Sequence, residues 1–241
     1  MKNSFLKKIG AKSYRIAIPA GGVRATVVQE WKDSYDLKIH VGAGSELRAV
    51  FTQNLPKTVE FAETVESVAG EKSKIHLFFI HLGAKKVKSR VILIARGKGA
   101  EINMDLAARA GGRRELRFEL EHCFEARDGR GLLTAKGVAE GKSALDIRGI
   151  LEIKRQAGGT QAHLTQSALN LSPHTQIKAV PALKIDTSDV KASHSASVTN
   201  LDEASLFYMQ SRGLNEKQAR KALAEGFLKE ALEKAKGLIT N

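Results

Sequence analysis

Apolar and polar residues alternate along most of the chain, from about Tyr14 to about Val198. A period of two is the pattern of β-strands that bury one side and expose the other. Glycines separate the alternating segments, and glycine readily adopts the positive φ angles of tight corners. The pattern therefore predicts a long succession of strands and no amphipathic helix in this region.

The clearest alternation lies in the segment DVKASHSASVT, from Asp189 to Thr199. It predicts a strand whose other face carries lysine, serine and threonine and whose buried face is formed by Val190, Ala192, His194, Ala196 and Val198. His194 lies between two alanines on that predicted buried face. From the pattern alone, His194 is either a core polar group with a hydrogen-bond partner or a ligand or catalyst.

A weak repeat runs through the predicted strands: a glycine turn, small residues, then a strand. It recurs at Gly42, Gly70 and Gly97, then less regularly at Gly141 and Gly158. Imperfect recurrence of turn–strand units is typical of repeat architectures. The nearly constant early period favours a β-solenoid, in which each coil stacks on its neighbours. A sandwich or barrel is the alternative that periodicity leaves open.

Helical spacing replaces the strand alternation after Thr199. Asn200 followed by Glu203 predicts a capping box that opens a first helix, which stops at Gly213. Asn215 followed by Gln218 predicts the start of a second helix with one apolar face. Each helix is expected to dock that face on the strands, and a partner surface is the alternative.

These patterns divide the chain into three parts. They are an N-terminal basic segment (1–13), a β core domain (14–199) and a C-terminal helical domain (200–241). The fold class expected from this division is mainly β, with a small α-helical domain at the end.

The net charge of +13 is the strongest compositional signal. Two basic clusters, Lys85–Lys98 and Arg109–Arg117, make a nucleic-acid-binding β protein an alternative function. Aromatic residues make up only 5% of the chain and do not interleave with those clusters, whereas single-strand binding uses aromatic stacking platforms. Much of the charge is therefore expected to be the solvated side of strands.

The chain lacks the motifs of common catalytic machinery, including a GxxxxGK[ST] loop, a GxSxG elbow and an HExxH helix. We therefore expect no bound nucleotide and no enzymatic activity. Apolar runs such as Val91–Ala95 are too short to cross a bilayer, and no signal peptide is recognisable. The single cysteine, Cys123, suits a reducing compartment, so a cytoplasmic location is expected. Cys123 is either a small buried hydrophobe or a thiolate ligand that acts with ligands from elsewhere.

The segment Pro181–Leu232 resembles the close of the SufB/SufD family of iron–sulfur cluster assembly proteins. The matching elements are PALKI, DVKASH and LDEASLFYMQSRG, followed by ARKAL and GF. The resemblance implies a right-handed parallel β-helix closed by a helical domain. It also implies a scaffold that dimerises through its β-helix, binds a SufC-like ABC-type ATPase through its C-terminal helices and builds a transient iron–sulfur cluster at the dimer interface. The alternative to this scaffold is a cluster-free regulatory partner of such an ATPase.

Two departures make the chain resemble a short, SufD-like core. Ser167 stands where SufB-type chains carry a proposed cluster-site cysteine, and Ser195 stands where they carry a glutamate. The resemblance retains His194 as a candidate cluster and metal ligand. Two-fold pairing, in a homodimer or in a heterodimer with a SufB-like paralogue, would double every ligand and adds Cys123 as a candidate metal ligand and Asp189 as a candidate oxygen ligand. For the contact with the ATPase it implies the segment Gly213–Phe227, and the candidates are Arg212, Gly213, Arg220 and Phe227.

Overall fold

The computed structural model describes residues 5–240, with side chains for residues 5–237. The first four residues of the predicted basic segment and Asn241 lie outside the described residues. Strands form most of the described chain, and two helices follow them. The elements are β1 (Leu6–Lys8), β2 (Ser13–Ile18), β3 (Arg24–Glu30), β4 (Tyr35–Val41), β5 (Glu46–Gln53), β6 (Glu60–Ala69), β7 (Lys74–His81), β8 (Lys86–Ala95), β9 (Glu101–Ala110), β10 (Glu115–Phe124), β11 (Arg130–Ala139), β12 (Ala144–Ile153), β13 (Thr160–Asn170), β14 (Gln176–Ile185), β15 (Val190–Asn200), α1 (Glu203–Ser211) and α2 (Glu216–Thr240).

Successive strands alternate between two parallel sheets, so that the chain winds as a solenoid. The even sheet has the order β2-β4-β6-β8-β10-β12-β14, with β1 antiparallel on the outer edge of β2. The odd sheet has the order β15-β13-β11-β9-β7-β5-β3. Each coil contributes one strand to each sheet and pairs only with the coils before and after it. The predicted parallel β-solenoid is confirmed, and the sandwich or barrel alternative is wrong.

The interior of the solenoid is built from the inward-facing residues of both sheets. Its largest fully buried side chains include Phe51, Phe79 and Phe118. The corners between sheets stack as closely as the strands do. At Gly97 a Cβ atom would lie 2.0 Å from the backbone nitrogen of Glu71, so only glycine fits. The glycine turns of the sequence repeat are therefore the stacked corners of the coils.

Several polar side chains lie inside this apolar interior. The carboxylate of Glu63 accepts hydrogen bonds from the Tyr35 hydroxyl at 2.5 Å and the Ser89 hydroxyl at 2.6 Å. The Nε2 atom of His81 lies 3.0 Å from the Glu63 carboxylate, a distance that makes an ion pair when the imidazole is protonated. We call Tyr35, Glu63, His81 and Ser89 the interior network. All four are at least 95% buried.

His122 is a second interior polar group, and it lacks the partners that the network supplies. Its side chain is fully buried between Leu93 and Leu151, its register neighbours on β8 and β12. Neither ring nitrogen has a hydrogen-bond partner among the described residues. A Cβ atom on Gly131 would lie 2.2 Å from the ring, so the imidazole fills the space that this glycine leaves.

The solenoid is open at its last coil. There, β14 and β15 are the edge strands of the even and odd sheets, and no further coil lies on them in the described chain. The expectation that Val190 to Val198 form a buried face is wrong for this chain, because nothing stacks on β15. Val190 and Ala192 are half-buried, whereas His194, Ala196 and Val198 are exposed.

The first helix is capped by a different residue from the one predicted. Asp202, and not Asn200, is the N-cap of α1, and its carboxylate accepts from the backbone nitrogens of Ala204 and Ser205. Asn200 still belongs to β15, where its side-chain oxygen accepts from Asn170. The second predicted start is confirmed: Asn215 and Gln218 exchange reciprocal side-chain-to-backbone hydrogen bonds at the start of α2.

The two helices dock differently on the strands. Ala224, Leu228 and Ala231 of α2 pack against outward-facing apolar residues of β9, β11 and β13. Further along α2, Ala235 packs against Val50 and Phe78 on β5 and β7. Helix α1 buries none of its residues, so the expected docking holds for α2 and is wrong for α1. Neither described helix is long and apolar enough to cross a membrane.

Candidate functional site

The mouth of the open coil is lined by the inward face of β15. His194 is in register with Leu164 on β13, whose side chain is fully buried in the core. Paired residues of a parallel sheet point to the same side, so His194 points toward the solenoid axis. Ala192 and Ala196 flank it on the same face and leave the imidazole accessible. Among the inward-facing residues of β15, His194 is therefore the one with an ionisable side chain at the mouth of the open coil.

The outward face of β13 and β15 carries a ladder of hydroxyl groups. The Ser193 hydroxyl lies 2.6 Å from Nδ1 of His163. The Ser197 hydroxyl donates to the Ser167 hydroxyl at 3.2 Å. Ser195 also belongs to this face, because it alternates with His194 along the strand. Ser167 and Ser195 therefore point away from the mouth that His194 faces.

Cys123 lies on the outward face of the even sheet. Its register neighbours on β8 and β12 are Ile94 and Glu152, and its side chain is 6% exposed. Burial and the nearby carboxylate of Glu152 raise the pKa of the thiol to about 12. The thiol is therefore protonated at neutral pH in this chain. Cys123 and His194 lie on different sheets, so the described chain does not bring these two side chains together.

Asp189 lies in the corner between β14 and β15. Its carboxylate is 3.3 Å from the Arg127 guanidinium in the corner between β10 and β11, two coils earlier. Both side chains are largely exposed, and Asp189 precedes β15, whereas His194 lies near the middle of that strand. The structure thus gives Asp189 a role in joining two corners. No group of three His, Cys, Asp or Glu side chains that could hold a metal ion occurs among the described residues.

Helix α1 presents an exposed aromatic surface that the sequence did not single out. Phe207 is 72% exposed and Tyr208 is 59% exposed. The Arg212 guanidinium lies 5.3 Å from the centre of the Tyr208 ring, a cation–π contact. We call Phe207, Tyr208 and Arg212 the α1 aromatic patch. The LFY motif is visible in the sequence, but the sequence pattern predicts that this helix face packs on the strands of the same chain.

The other predicted partner residues have contacts within the chain. Arg220 donates to the backbone oxygen of Leu171 and to the carboxylate of Glu216. Phe227 is half-buried against the cluster under α2. Gly213 adopts a φ of +92° between the two helices, a conformation that favours glycine. Arg220 and Phe227 therefore hold α2 to the solenoid, and Arg212 is the one predicted side chain on the α1 aromatic patch.

A comparison with protein families decides where the chain belongs. The model described as "SUF system FeS cluster assembly, SufBD core domain" matches residues 23–227, which is most of the chain. This protein belongs to the SufBD family. The match includes nearly the whole solenoid and extends through Phe227 on α2. Its span therefore covers both the open coil and the α1 aromatic patch.

Individual SufBD relatives are distant and longer. A SufBD family protein of Pyrococcus horikoshii is 25% identical over 203 residues, which are 83% of this chain and 44% of that protein. SufB of Bacillus subtilis is 23% identical over 195 residues, 80% of this chain and 41% of that protein. SufD of Escherichia coli is 29% identical over 98 residues, 41% of this chain and 23% of that protein. The chain thus spans less than half the length of these SufBD relatives.

Proposed function

We propose that this SufBD chain is a non-enzymatic scaffold that pairs through its open coil and holds a growing iron–sulfur cluster, as cargo, at the paired ends. The observation that carries the proposal is the pair of unprotected edge strands, β14 and β15, at one end of the solenoid. Long exposed edge strands are templates for pairing with another chain, and soluble proteins normally cover or blunt them. Val198, 48% exposed on β15, adds apolar surface to that edge.

Pairing about a two-fold axis would bring the two His194 side chains toward each other. β15 runs from Val190 to Asn200, so His194 lies close to its midpoint and therefore close to any axis through that strand. One chain offers one imidazole and no thiolate at its mouth. A second copy, or a SufB-like paralogue with further ligands, would complete the site. The other bonds of the cluster are those between its own iron and sulfide ions.

The α1 aromatic patch is the surface that we assign to an ABC-type ATPase partner. Exposed aromatic and arginine side chains are enriched at the energetically important centres of protein interfaces. Helix α1 follows β15 after only two residues, Leu201 and Asp202. A movement of α1 driven by ATP hydrolysis on the partner would therefore be transmitted directly to the strand that carries His194.

Substitution of His194 tests the site. We expect His194→Ala to lower the iron and sulfide content of the anaerobically isolated complex, co-expressed with its ATPase, by at least about tenfold, because one missing protein ligand costs roughly that factor or more in metal affinity. Iron and sulfide assays and the ligand-to-metal absorption bands measure the loss. Light scattering on the same samples measures whether the chains remain paired.

His163→Ala is the matched control, because His163 lies on the neighbouring strand but faces outward. It should keep the iron, the sulfide and the assembly mass. Equal iron and sulfide in the His194→Ala and wild-type complexes would exclude His194 as a ligand. A monomeric wild-type protein at micromolar concentration, with no paralogue bound, would argue against pairing.

Substitution of the α1 aromatic patch tests the partner surface. The double variant Phe207→Glu and Tyr208→Glu should abolish co-purification with the ATPase, since aromatic anchors often contribute 2 kcal/mol or more each, roughly a thirtyfold loss of affinity. Lys217→Glu, an exposed change on α2, should leave the complex intact. Circular dichroism checks that the helices are retained. Undiminished co-purification of the double variant would place the ATPase elsewhere.

A further inference from the structure

A shallow groove crosses the outward face of the even sheet, far from the helices. It consists of two adjoining hollows of about 250 and 300 Å³ that share Arg90 and Glu119 in their walls. One hollow begins at Thr64 on β6, and the other ends at Val180 and Ala182 on β14. We call this continuous depression the outer groove.

One end of the outer groove concentrates positive charge. Lys88 on β8 lies directly opposite Arg117 on β10, and Arg90 is the next outward residue on β8. Arg117 has a counter-charge, because its guanidinium lies 2.8 Å from Glu119. Lys88 and Arg90 have no ion pair with any described residue. Like charges directly opposite each other destabilise a sheet, so Lys88 faces Arg117 at a cost. Arg90 faces Glu119 on β10, whose carboxylate is engaged by Arg117.

The other end of the outer groove is apolar. Val180 is 50% exposed on β14, in register with Arg148 on β12. Ala182 is exposed beside it, and Ile150 is half-buried on β12. Arg148 bonds to Asp146, so its charge is already compensated. The groove thus has Lys88 toward one end, Arg90 with Glu119 and Glu121 along its middle, and accessible aliphatic carbon at the other end; neither Lys88 nor Arg90 is held in an ion pair with a described residue.

The length of the outer groove limits what can occupy it. It crosses β6, β8, β10, β12 and β14, which are neighbours in the even sheet. Strands in a sheet lie about 4.8 Å apart, so the groove is about 19 Å long. An extended polypeptide rises about 3.4 Å per residue, so five or six residues would fill it.

We propose that the outer groove binds an extended acidic segment of a partner protein that carries an aliphatic side chain at one end. Carboxylates would pair with Lys88 and Arg90, and the aliphatic side chain would lie on Val180 and Ala182. A nucleic acid fits this surface less well, because no aromatic ring lines the groove for base stacking and a phosphate backbone has no use for the apolar end. Binding here requires neither pairing through the open coil nor the α1 aromatic patch.

Fluorescence anisotropy with the full chain tests this site. The probes are a fluorescein-labelled peptide of four glutamates and two leucines, a peptide of six glutamates and a 20-base-pair DNA duplex. We expect the leucine-bearing peptide to bind more tightly than the other two, and more weakly as salt rises. The double variant Lys88→Glu and Arg90→Glu should weaken that peptide at least tenfold, and Val180→Asp should remove its advantage over the all-glutamate peptide.

The matched control is a double charge reversal at exposed lysines away from the groove, Lys191→Glu and Lys217→Glu, which keeps the same net charge as the groove variant. It should bind the leucine-bearing peptide like the wild type. Equal losses in the two double variants would show attraction to net charge alone and overturn the proposal. Tighter binding of the DNA duplex, lost on Lys88→Glu and Arg90→Glu, would overturn it in favour of nucleic acid. No binding of the leucine-bearing peptide would also overturn it.

Discussion

Replacing Glu63 with leucine should lower the free energy of unfolding by about 3–5 kcal/mol, because it removes the common acceptor of a buried network. The Tyr35 and Ser89 hydroxyls would each lose their hydrogen bond, and His81 would lose the carboxylate 3.0 Å from its Nε2 atom. His81 is enclosed by the rings of Phe61, Phe79 and Phe118, so water cannot replace the carboxylate easily. Denaturant titration followed by circular dichroism measures the loss.

A double variant separates the charge pair from the rest of the network. His81→Leu added to Glu63→Leu should recover part of the stability, since apolar groups often replace a buried ion pair at little cost. Glu66→Leu is the control, because Glu66 lies on the same strand but faces outward; it should change stability by less than about 0.5 kcal/mol. A Glu63→Leu loss no larger than that of the control would show that the network adds no stability.

The interior network also makes the folded state sensitive to acid. Burial alone would raise the pKa of Glu63, but the charge of His81 and the hydrogen bonds of the network outweigh burial and lower it. A lowered carboxyl pKa contributes stability above the ordinary carboxyl pKa, and that stability is lost as the pH falls through the folded-state pKa. The network thus favours the folded state at neutral pH and stops doing so in acid.

Replacing His122 with leucine should have the opposite sign and raise stability. At pH 7 the substitution removes two buried nitrogens without partners, a gain of about 1 kcal/mol, and continues the leucine row of Leu93 and Leu151. Burial lowers the pKa of His122 from 6.5 to about 3. Between pH 6.5 and about pH 3 the unfolded chain binds a proton that the folded chain excludes. The free energy of unfolding of the wild type therefore decreases as the pH is lowered through this range.

The advantage of His122→Leu over the wild type should therefore grow by about 2–3 kcal/mol between pH 7 and pH 4.5. Denaturant titrations at the two pH values measure the difference, and other acid-sensitive groups cancel because both proteins contain them. His40→Leu, an exposed histidine on β4, should show no such growth. A constant difference between His122→Leu and the wild type would mean that His122 is protonated in the folded state or has a partner.

The sequence predicts the solenoid well because its strands depend on local patterns. The alternation of apolar and polar residues identifies the strands, and the close stacking of the corners requires glycine at positions such as Gly97. Both the alternation and the glycines can be read from the sequence of a single coil. The cap of α1 was misassigned by two residues because Asn200 and Asp202 are both good caps. The chain continues as strand through Asn200, since β15 pairs with β13 as far as Asn170, and that pairing is not a local signal.

The candidate site is less predictable, because it depends on which side of a sheet each residue faces and on where the stack ends. The alternation around His194 correctly separates inward from outward residues, but only the absence of a following coil makes the inward ones accessible. The sequence also could not show that Cys123 and His194 lie on different sheets. Arg220 was expected to face a partner, and its contacts within the chain depend on how α2 lies on the solenoid.

Helix α2 has a consequence for how the molecule unfolds. A stack of coils that touch only their neighbours can lose one coil at a time from an open end. Helix α2 contacts β5 and β7 through Ala235 and β9, β11 and β13 through its earlier residues, and Lys136 and Asp105 bind its Glu230 and Lys234. Because this single helix contacts five successive coils, unfolding of the last of these coils also weakens the contact of the helix with the first.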